Sequence, residues 1–252
     1  MTQATLTISS KNYSSWSLRG WLLCKMSGLD FREEPVDPTD ADVRQELLLL
    51  SPTVRVPRLT HGKVQVWDTL AIAGYLNECF PEAKLYPDDI VARAHCRAVS
   101  GEMHAGFYNL RSALPMNIKA RHERFKIFSG ARPDVERVRE IWSECLETYG
   151  GPFLFGPATM ADAMFAPVCT RLRTYAVTLE PELEAYIDRQ APAALLEARK
   201  QAPDRRVIGS VRVIAPVDHG LGGIDRACSE PPGIAMLAFG IGRARQRVLP
   251  AE

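Results

Sequence analysis

The stretch Ser9-Ser10-Lys11-Asn12-Tyr13-Ser14-Ser15-Trp16-Ser17-Leu18-Arg19-Gly20-Trp21-Leu22 changes character halfway, from polar loop to helix. Its first half is crowded with serine and asparagine, side chains that satisfy the free N–H groups at a helix start. Beyond it Leu18, Trp21, Leu22, Lys25 and Leu29 fall at helical spacing, and Gly28 is the stop signal. Ahead of it Leu6 and Ile8 stand between threonines, which reads as a short strand. The chain therefore opens as strand, capping loop and helix.

Working outward, residues 31–36 can form a second strand, broken by Pro38 and Thr39, and residues 41–50 suit a short helix. Residues 54–60 read as a strand beginning at Pro57, and His61-Gly62-Lys63 turns the chain into a hairpin partner at residues 64–67. Asp68 and Thr69 can cap a helix whose Leu70, Ala73, Leu76, Asn77 and Phe80 leave one apolar edge. Strand, helix, strand, helix, strand, strand, helix is the thioredoxin-like order. The redox version of that fold needs a CxxC at the first helix N-terminus, because the thiolate there does the work. Here the position reads Ser14-Ser15-Trp16-Ser17. A serine can donate a hydrogen bond but cannot exchange disulfides, so thioredoxin chemistry is excluded.

Residues 81–89 hold two prolines and several charges, which suits a linker. From residue 90 to about 190 only helical patterns occur. Residues 91–114 read as one long helix ending at Pro115. Another begins at Pro133-Asp134, with Val135, Val138, Ile141, Trp142, Cys145, Leu146 and Tyr149 as its apolar stripe and Gly150-Gly151-Pro152 as its stop. Thr159-Met160-Ala161-Asp162 is a capping-box pattern, and the helix it opens is apolar almost all round, with Pro167 inside it implying a kink. That helix should be the buried centre of a bundle. The expected organisation is a thioredoxin-like α/β domain at 1–80, a linker at 81–89, an all-α helical bundle at 90–202 and a tail at 203–252.

Composition narrows the partners. Thirty-one Lys and Arg against thirty Asp and Glu leave a formal charge of +1 over 252 residues, which removes the electrostatic case for a nucleic-acid binder. The longest aliphatic run, residues 47–50, is far short of the roughly 20 residues that cross a membrane. The N-terminus lacks a basic start and an apolar core of signal-peptide length, so the expected compartment is the cytoplasm. The six cysteines and five histidines are scattered singly, without zinc spacing, so no metal site is expected and the cysteines read as reduced, mostly buried residues.

From about Leu6 to Gln190 the chain resembles the glutathione transferases. Four segments carry the likeness: Tyr13 to Arg19 resembles the serine-containing activation motif of the zeta-like and theta-like branches; Val56-Pro57 stands at the family's cis-proline; Asp68-Thr69 is similar to its acid–hydroxyl pair; Thr159 to Asp162 fits its buried capping box. The resemblance implies glutathione as co-substrate, with Ser14 or Ser15 stabilising its thiolate and Val56, Pro57, Asp68 and Thr69 binding the peptide. Residue reading does not separate the two serines. It further implies a homodimer, no metal, and a small hydrophobic electrophile held near Trp16, Phe107, Tyr108 and Arg111, in a detoxifying transferase. Two alternatives remain: a glutathione-dependent cis–trans isomerase of the maleylacetoacetate type, or a non-catalytic binding module of the same fold. Trp16 stands where the zeta pattern has a cysteine, which weighs against the isomerase.

The tail departs from this likeness. Residues 203–252 contain no lysine, seven glycines and seven arginines, and Gly220-Leu221-Gly222-Gly223 and Pro231-Pro232-Gly233 break any long helical pattern. A flexible solvated tail is the reading; the alternatives are an interaction patch at Arg243, Arg245 and Arg247, or an altered reading frame after the real domain as the source of the whole segment.

Overall fold

The computed structural model describes residues 4–37, 40, 55–123 and 125–200, with side chains up to residue 190. The helix expected at 41–50 and the tail at 203–252 lie outside the described residues. Strand β1 (Ala4–Ile8) leads through helix α1 (Ser15–Met26) into β2 (Phe31–Pro35), and β3 (Arg58–His61) and β4 (Val64–Trp67) form the expected hairpin. β1 pairs in parallel with β2 and antiparallel with β3, giving the sheet order β2-β1-β3-β4. Central β1 is covered on both faces, and Leu6, Ile8 and Leu59 are fully buried. Leu6 and Ile8 lie on one side of the pleat with Ala4; Thr7, on the other, is also buried and donates through Oγ1 to Glu34 Oε2 at 2.8 Å. The region is thioredoxin-like.

Helix α2 (Thr69–Cys79) follows the hairpin, and α3 (Ile90–Ala105) opens the helical region. Between them Leu85 is fully buried, and its carbonyl accepts the Met160 N–H at 2.7 Å. The proline-rich segment is anchored at buried Leu85 and Tyr86, with Pro81, Glu82, Lys84, Asp88 and Asp89 exposed around them.

One expected helix is two. Residues 91–114 divide into α3 and the short α4 (Tyr108–Ala113), and the break falls at Gly106 and Phe107. Gly106 closes α3 by donating to the Glu102 carbonyl at 2.8 Å, and Phe107 turns to a φ of +60° with its ring in the core. The Asp134 carboxylate then accepts the Leu110 N–H at 2.8 Å, supplying the new helix with a cap from a distant residue.

Helix α5 (Arg132–Tyr149) buries Val135, Val138, Ile141, Trp142 and Cys145 and ends at Gly150, whose φ is +75°. A left-handed C-terminal position of this kind suits glycine. Helix α6 (Met160–Thr174) is the bundle's centre: every residue but Arg173 is buried, with Pro167 inside it. Trp142 packs edge-on against Phe165 and against Tyr186 of α7 (Pro181–Lys200), at centroid distances of 5.9 and 5.0 Å. Both halves of the expected capping box are present, and Asp162 accepts from Thr159 N at 2.8 Å, Leu154 N at 3.2 Å and the Tyr186 hydroxyl at 3.1 Å. Burial pushes the Asp162 carboxyl up to about 6, with these donors opposing the rise. Cys24, Cys96, Cys145 and Cys169 are free and buried, and Cys79 is free and exposed. Burial raises the thiols of Cys24 and Cys145 to about 12 and of Cys96 to about 11, so none of these three is a ready nucleophile.

Candidate active site

Two helix starts define the site. Ser14 is the N-cap of α1, in an extended conformation (φ −96°, ψ 105°), and its Oγ accepts the Ser17 N–H at 3.3 Å. Ser15 is the first helical residue and is buried, whereas Ser14 is half-buried. The loop ahead of them is fixed by its own polar groups. Ser14 N–H donates to the Ser10 carbonyl at 2.9 Å, and Ser17 Oγ accepts from Ser9 N–H at 3.0 Å. Asn12 donates to Asn117 Oδ1 at 3.1 Å and accepts the Lys119 N–H at 3.2 Å, tying the loop to the helical region. Lys11 is buried against Glu33 at 2.7 Å, and Glu33 also accepts the Trp21 indole N–H at 2.7 Å. The first turn of α1 contains no acidic residue.

The second start is that of α2. Asp68 caps it with Oδ1 accepting Leu70 N–H at 2.9 Å, from a backbone φ of +22° that only a residue held in place adopts. Its Oδ2 lies 3.2 Å from His104 Nε2 on α3. Thr69 beside it is buried, and its Oγ1 has no partner among the described residues.

Val56-Pro57 is a cis peptide, and it lies against the side of α1. A Cβ built on Gly20 would stand 2.6 Å from the Pro57 Cβ, so the close approach of helix and loop requires glycine there. Gly20 thereby brings the serine-headed helix and the Val56-Pro57 loop into direct contact.

Trp16 joins the two starts to the helical region. The guanidinium carbons of Arg19 and Arg111 lie 4.6 and 5.0 Å from its ring centroid, and the His104 ring packs against it at 4.9 Å. Arg19 is buried and donates through Nε to the Met164 carbonyl on α6 at 2.7 Å; its Nη1 has no partner among the described residues. Burial, then the nearby charges of Arg171 and Arg111, hold the Arg19 pKa well below the ordinary guanidinium value. Arg171 donates to the carbonyls of Arg111 and Leu114, and burial lowers it to about 10. The result is a positive wall one turn along α1 from Ser15.

The remaining expected residues are placed apart. Phe107 is in the core and Tyr108 is 76% exposed, so of the three residues expected from the first helix of the helical region only Arg111 stands at Trp16. Arg19, Gly20, Asn12 and His104 were not among the expected site residues. Arg19 had a local signal, since it follows Ser15 by one helical turn on the same face. His104 had none, because its partner Asp68 lies on a different helix. Among the described residues no group of His, Cys, Asp and Glu is gathered to hold a metal, and no helix is long and apolar enough to cross a membrane.

Comparison with known proteins agrees with this geometry. Residues 13–79 match the domain family described as glutathione S-transferase, N-terminal domain. Glutathione S-transferase 1 of Dianthus caryophyllus is 28% identical over 165 residues, 64% of this chain and 75% of the relative. A probable maleylacetoacetate isomerase of Caenorhabditis elegans is 24% identical over 66% of this chain and 78% of its own length. Among solved structures, a glutathione transferase homolog from Burkholderia with bound glutathione superposes with a TM-score of 0.59 at 25% identity, covering 79% of this chain and 97% of that one. Residues 13–79 thus form a glutathione S-transferase N-terminal domain, and the helical region beyond it continues the fold of a solved glutathione transferase homolog.

Proposed function

We propose that this protein is a glutathione transferase in which the N-terminus of α1 holds the glutathione thiolate and presents it to an electrophile beside Trp16. The observation that carries the reading is the pairing of two helix starts, an open one headed by Ser14-Ser15 and one capped by Asp68 beside Thr69, with the Val56-Pro57 loop in contact with the first. A free cysteinyl thiol has a pKa of roughly 8.5, and lowering it by about two units needs about 2.7 kcal/mol of preference for the thiolate. A hydroxyl donor and the positive end of a helix supply energy of that order in a partly dry site. The charges of Arg19 and Arg111 act in the same sense. Of the two serines we assign the thiolate to Ser14. Its Oγ accepts from Ser17 N–H, leaving the hydroxyl hydrogen to donate outward, and its side chain is half-exposed where Ser15 is buried.

Asp68 would pair with the α-ammonium of the γ-glutamyl group, Thr69 Oγ1 would donate to its carboxylate, and the Val56 backbone would dock the cysteinyl amide. The thiolate then forms a carbon–sulfur bond, either displacing a leaving group that departs with its electron pair or adding to a polarised double bond whose far carbon takes a proton from water. Relatives named maleylacetoacetate isomerase favour a second reading, in which the thiolate adds reversibly to a double bond. Trp16, standing where that branch has a cysteine, favours conjugation. A cytoplasmic homodimer acting on foreign electrophiles completes the proposal; exposed Val64 and Trp67 on the edge strand β4 support the dimer, and sedimentation tests it.

The test of function is conjugation of glutathione to a panel of small electrophiles, beside Ser14→Ala and Ser15→Ala. Turnover lost with Ser14→Ala and largely kept with Ser15→Ala is the expected result. Stoichiometric glutathione binding without turnover on any electrophile or on maleylacetoacetate would leave a binding module instead.

A further inference from the structure

We propose that His104 is a positioning residue for glutathione: it holds the Asp68 carboxylate in place for the ligand's α-ammonium. The assignment rests on the glutathione reading above. Asp68 is half-exposed and fixed to its own helix through Oδ1, which accepts Leu70 N–H and, more distantly at 3.5 Å, Ala71 N–H. Its other oxygen, Oδ2, is reached from across the molecule by His104 Nε2 at 3.2 Å. One hydrogen bond therefore connects the ammonium-binding acid of α2 to the last turn of α3.

The His104 ring is suited to that task. Its side chain is 28% exposed, and Trp16 packs against it at 4.9 Å, so the ring is held in one orientation. Its Nδ1 is buried with no partner among the described residues. A buried N–H without an acceptor costs more than a buried lone pair without a donor, so the hydrogen of the neutral ring belongs on Nε2, aimed at Asp68. A carboxylate accepts at about four lone-pair positions. Two are used at Oδ1 and one at Oδ2, and the ammonium takes what is left.

The test compares glutathione with N-glutaryl-cysteinylglycine, the same peptide without the α-amino group, on the wild type, His104→Leu and His104→Gln. Leucine keeps an apolar contact for Trp16 and removes the donor; glutamine places an amide N–H near the imidazole Nε2 position. Glutathione affinity should fall about tenfold in His104→Leu, the weight of one hydrogen bond to a charged group, and recover mostly in His104→Gln. The loss should appear in KM for glutathione with kcat at saturation within about twofold. Affinity for the des-amino peptide should stay within about twofold in both variants. Equal weakening for both peptides, or no weakening for either, would overturn the assignment and leave His104 as packing beneath Trp16. A wild type that binds neither peptide would overturn the glutathione reading and this assignment together, and that arm separates the two failures. Should His104→Leu not fold, His104→Asn, whose amide stops short of Asp68, takes its place with the same expected losses.

Discussion

Helices α1 and α6 both begin at a hydroxyl residue, yet their first turns serve opposite purposes. At α6 the Thr159 cap is closed by Asp162, whose carboxylate takes the Thr159 and Leu154 N–H groups and the Tyr186 hydroxyl in the buried centre of the bundle. At α1 the cap is Ser14, no acidic residue occupies the first turn, and two arginines flank the neighbouring Trp16. A helix start that supplies its own anion is neutralised and stabilises the fold. One that supplies only hydroxyls beside positive charge keeps its attraction for an anion that comes from outside. The same capping chemistry thus builds a structural joint in one place and, in the function proposed above, a ligand site in the other, and the carboxylate in the first turn is what differs.

Breaking the closed start should cost most. Asp162→Ala strands two backbone N–H groups and the Tyr186 hydroxyl in a dry interior, and we expect a loss of about 3 kcal/mol or more in denaturant unfolding, with glutathione affinity unchanged in whatever protein remains folded. The Asp162 carboxyl offers a second handle. Its folded pKa of about 6 lies above the ordinary aspartate value, so the folded state holds the proton more tightly than the unfolded chain. Its contribution is therefore most favourable below about pH 4 and is lost as pH rises through about 6. The stability difference between wild type and Asp162→Asn should fall over that window and be flat above it. A difference that instead rose with pH would mean that the donors outweigh burial.

Gly20→Ala should come next. The added methyl meets Pro57 at 2.6 Å, well inside contact distance. Overpacking of this kind costs about 1–3 kcal/mol, and because it separates α1 from the Val56-Pro57 loop it should weaken glutathione binding as well. Gly101→Ala, where an added Cβ meets nothing within 4 Å inside α3, is the control and should stabilise the fold by about 0.5–1 kcal/mol with glutathione affinity unchanged.

How much of this was legible in the sequence follows from the range over which each feature is decided. Caps are settled within four residues, so Ser14, Asp68, Thr159 with Asp162, Gly28 and Gly150 could all be read directly. The break at Gly106 and Phe107 could not. The apolar spacing of Met103, Phe107, Leu110 and Leu114 runs through it without interruption, and the cap that makes α4 a separate helix comes from Asp134. The positive wall was half legible. Arg19 stands in the quoted motif, but its partner Met164 lies 145 residues on, and the packing of Arg111 and His104 around Trp16 exists only once α3 and α4 fold against α1. Tyr108 shows the converse: the resemblance set it near the electrophile on the first helix of the helical region, and beyond the turn at Phe107 it is 76% exposed.

The contrast between a closed and an open helix start is tested most directly by counting the protons released when glutathione binds near pH 7, from calorimetry in buffers of different ionisation enthalpy. For a thiol lowered from roughly 8.5 by about two units, the wild type should release about 0.7 proton per glutathione bound at pH 7, and Ser14→Ala should bind while releasing far fewer. Binding without proton release in the wild type, or equal release in Ser14→Ala, would contradict the claim that the start of α1 holds a thiolate.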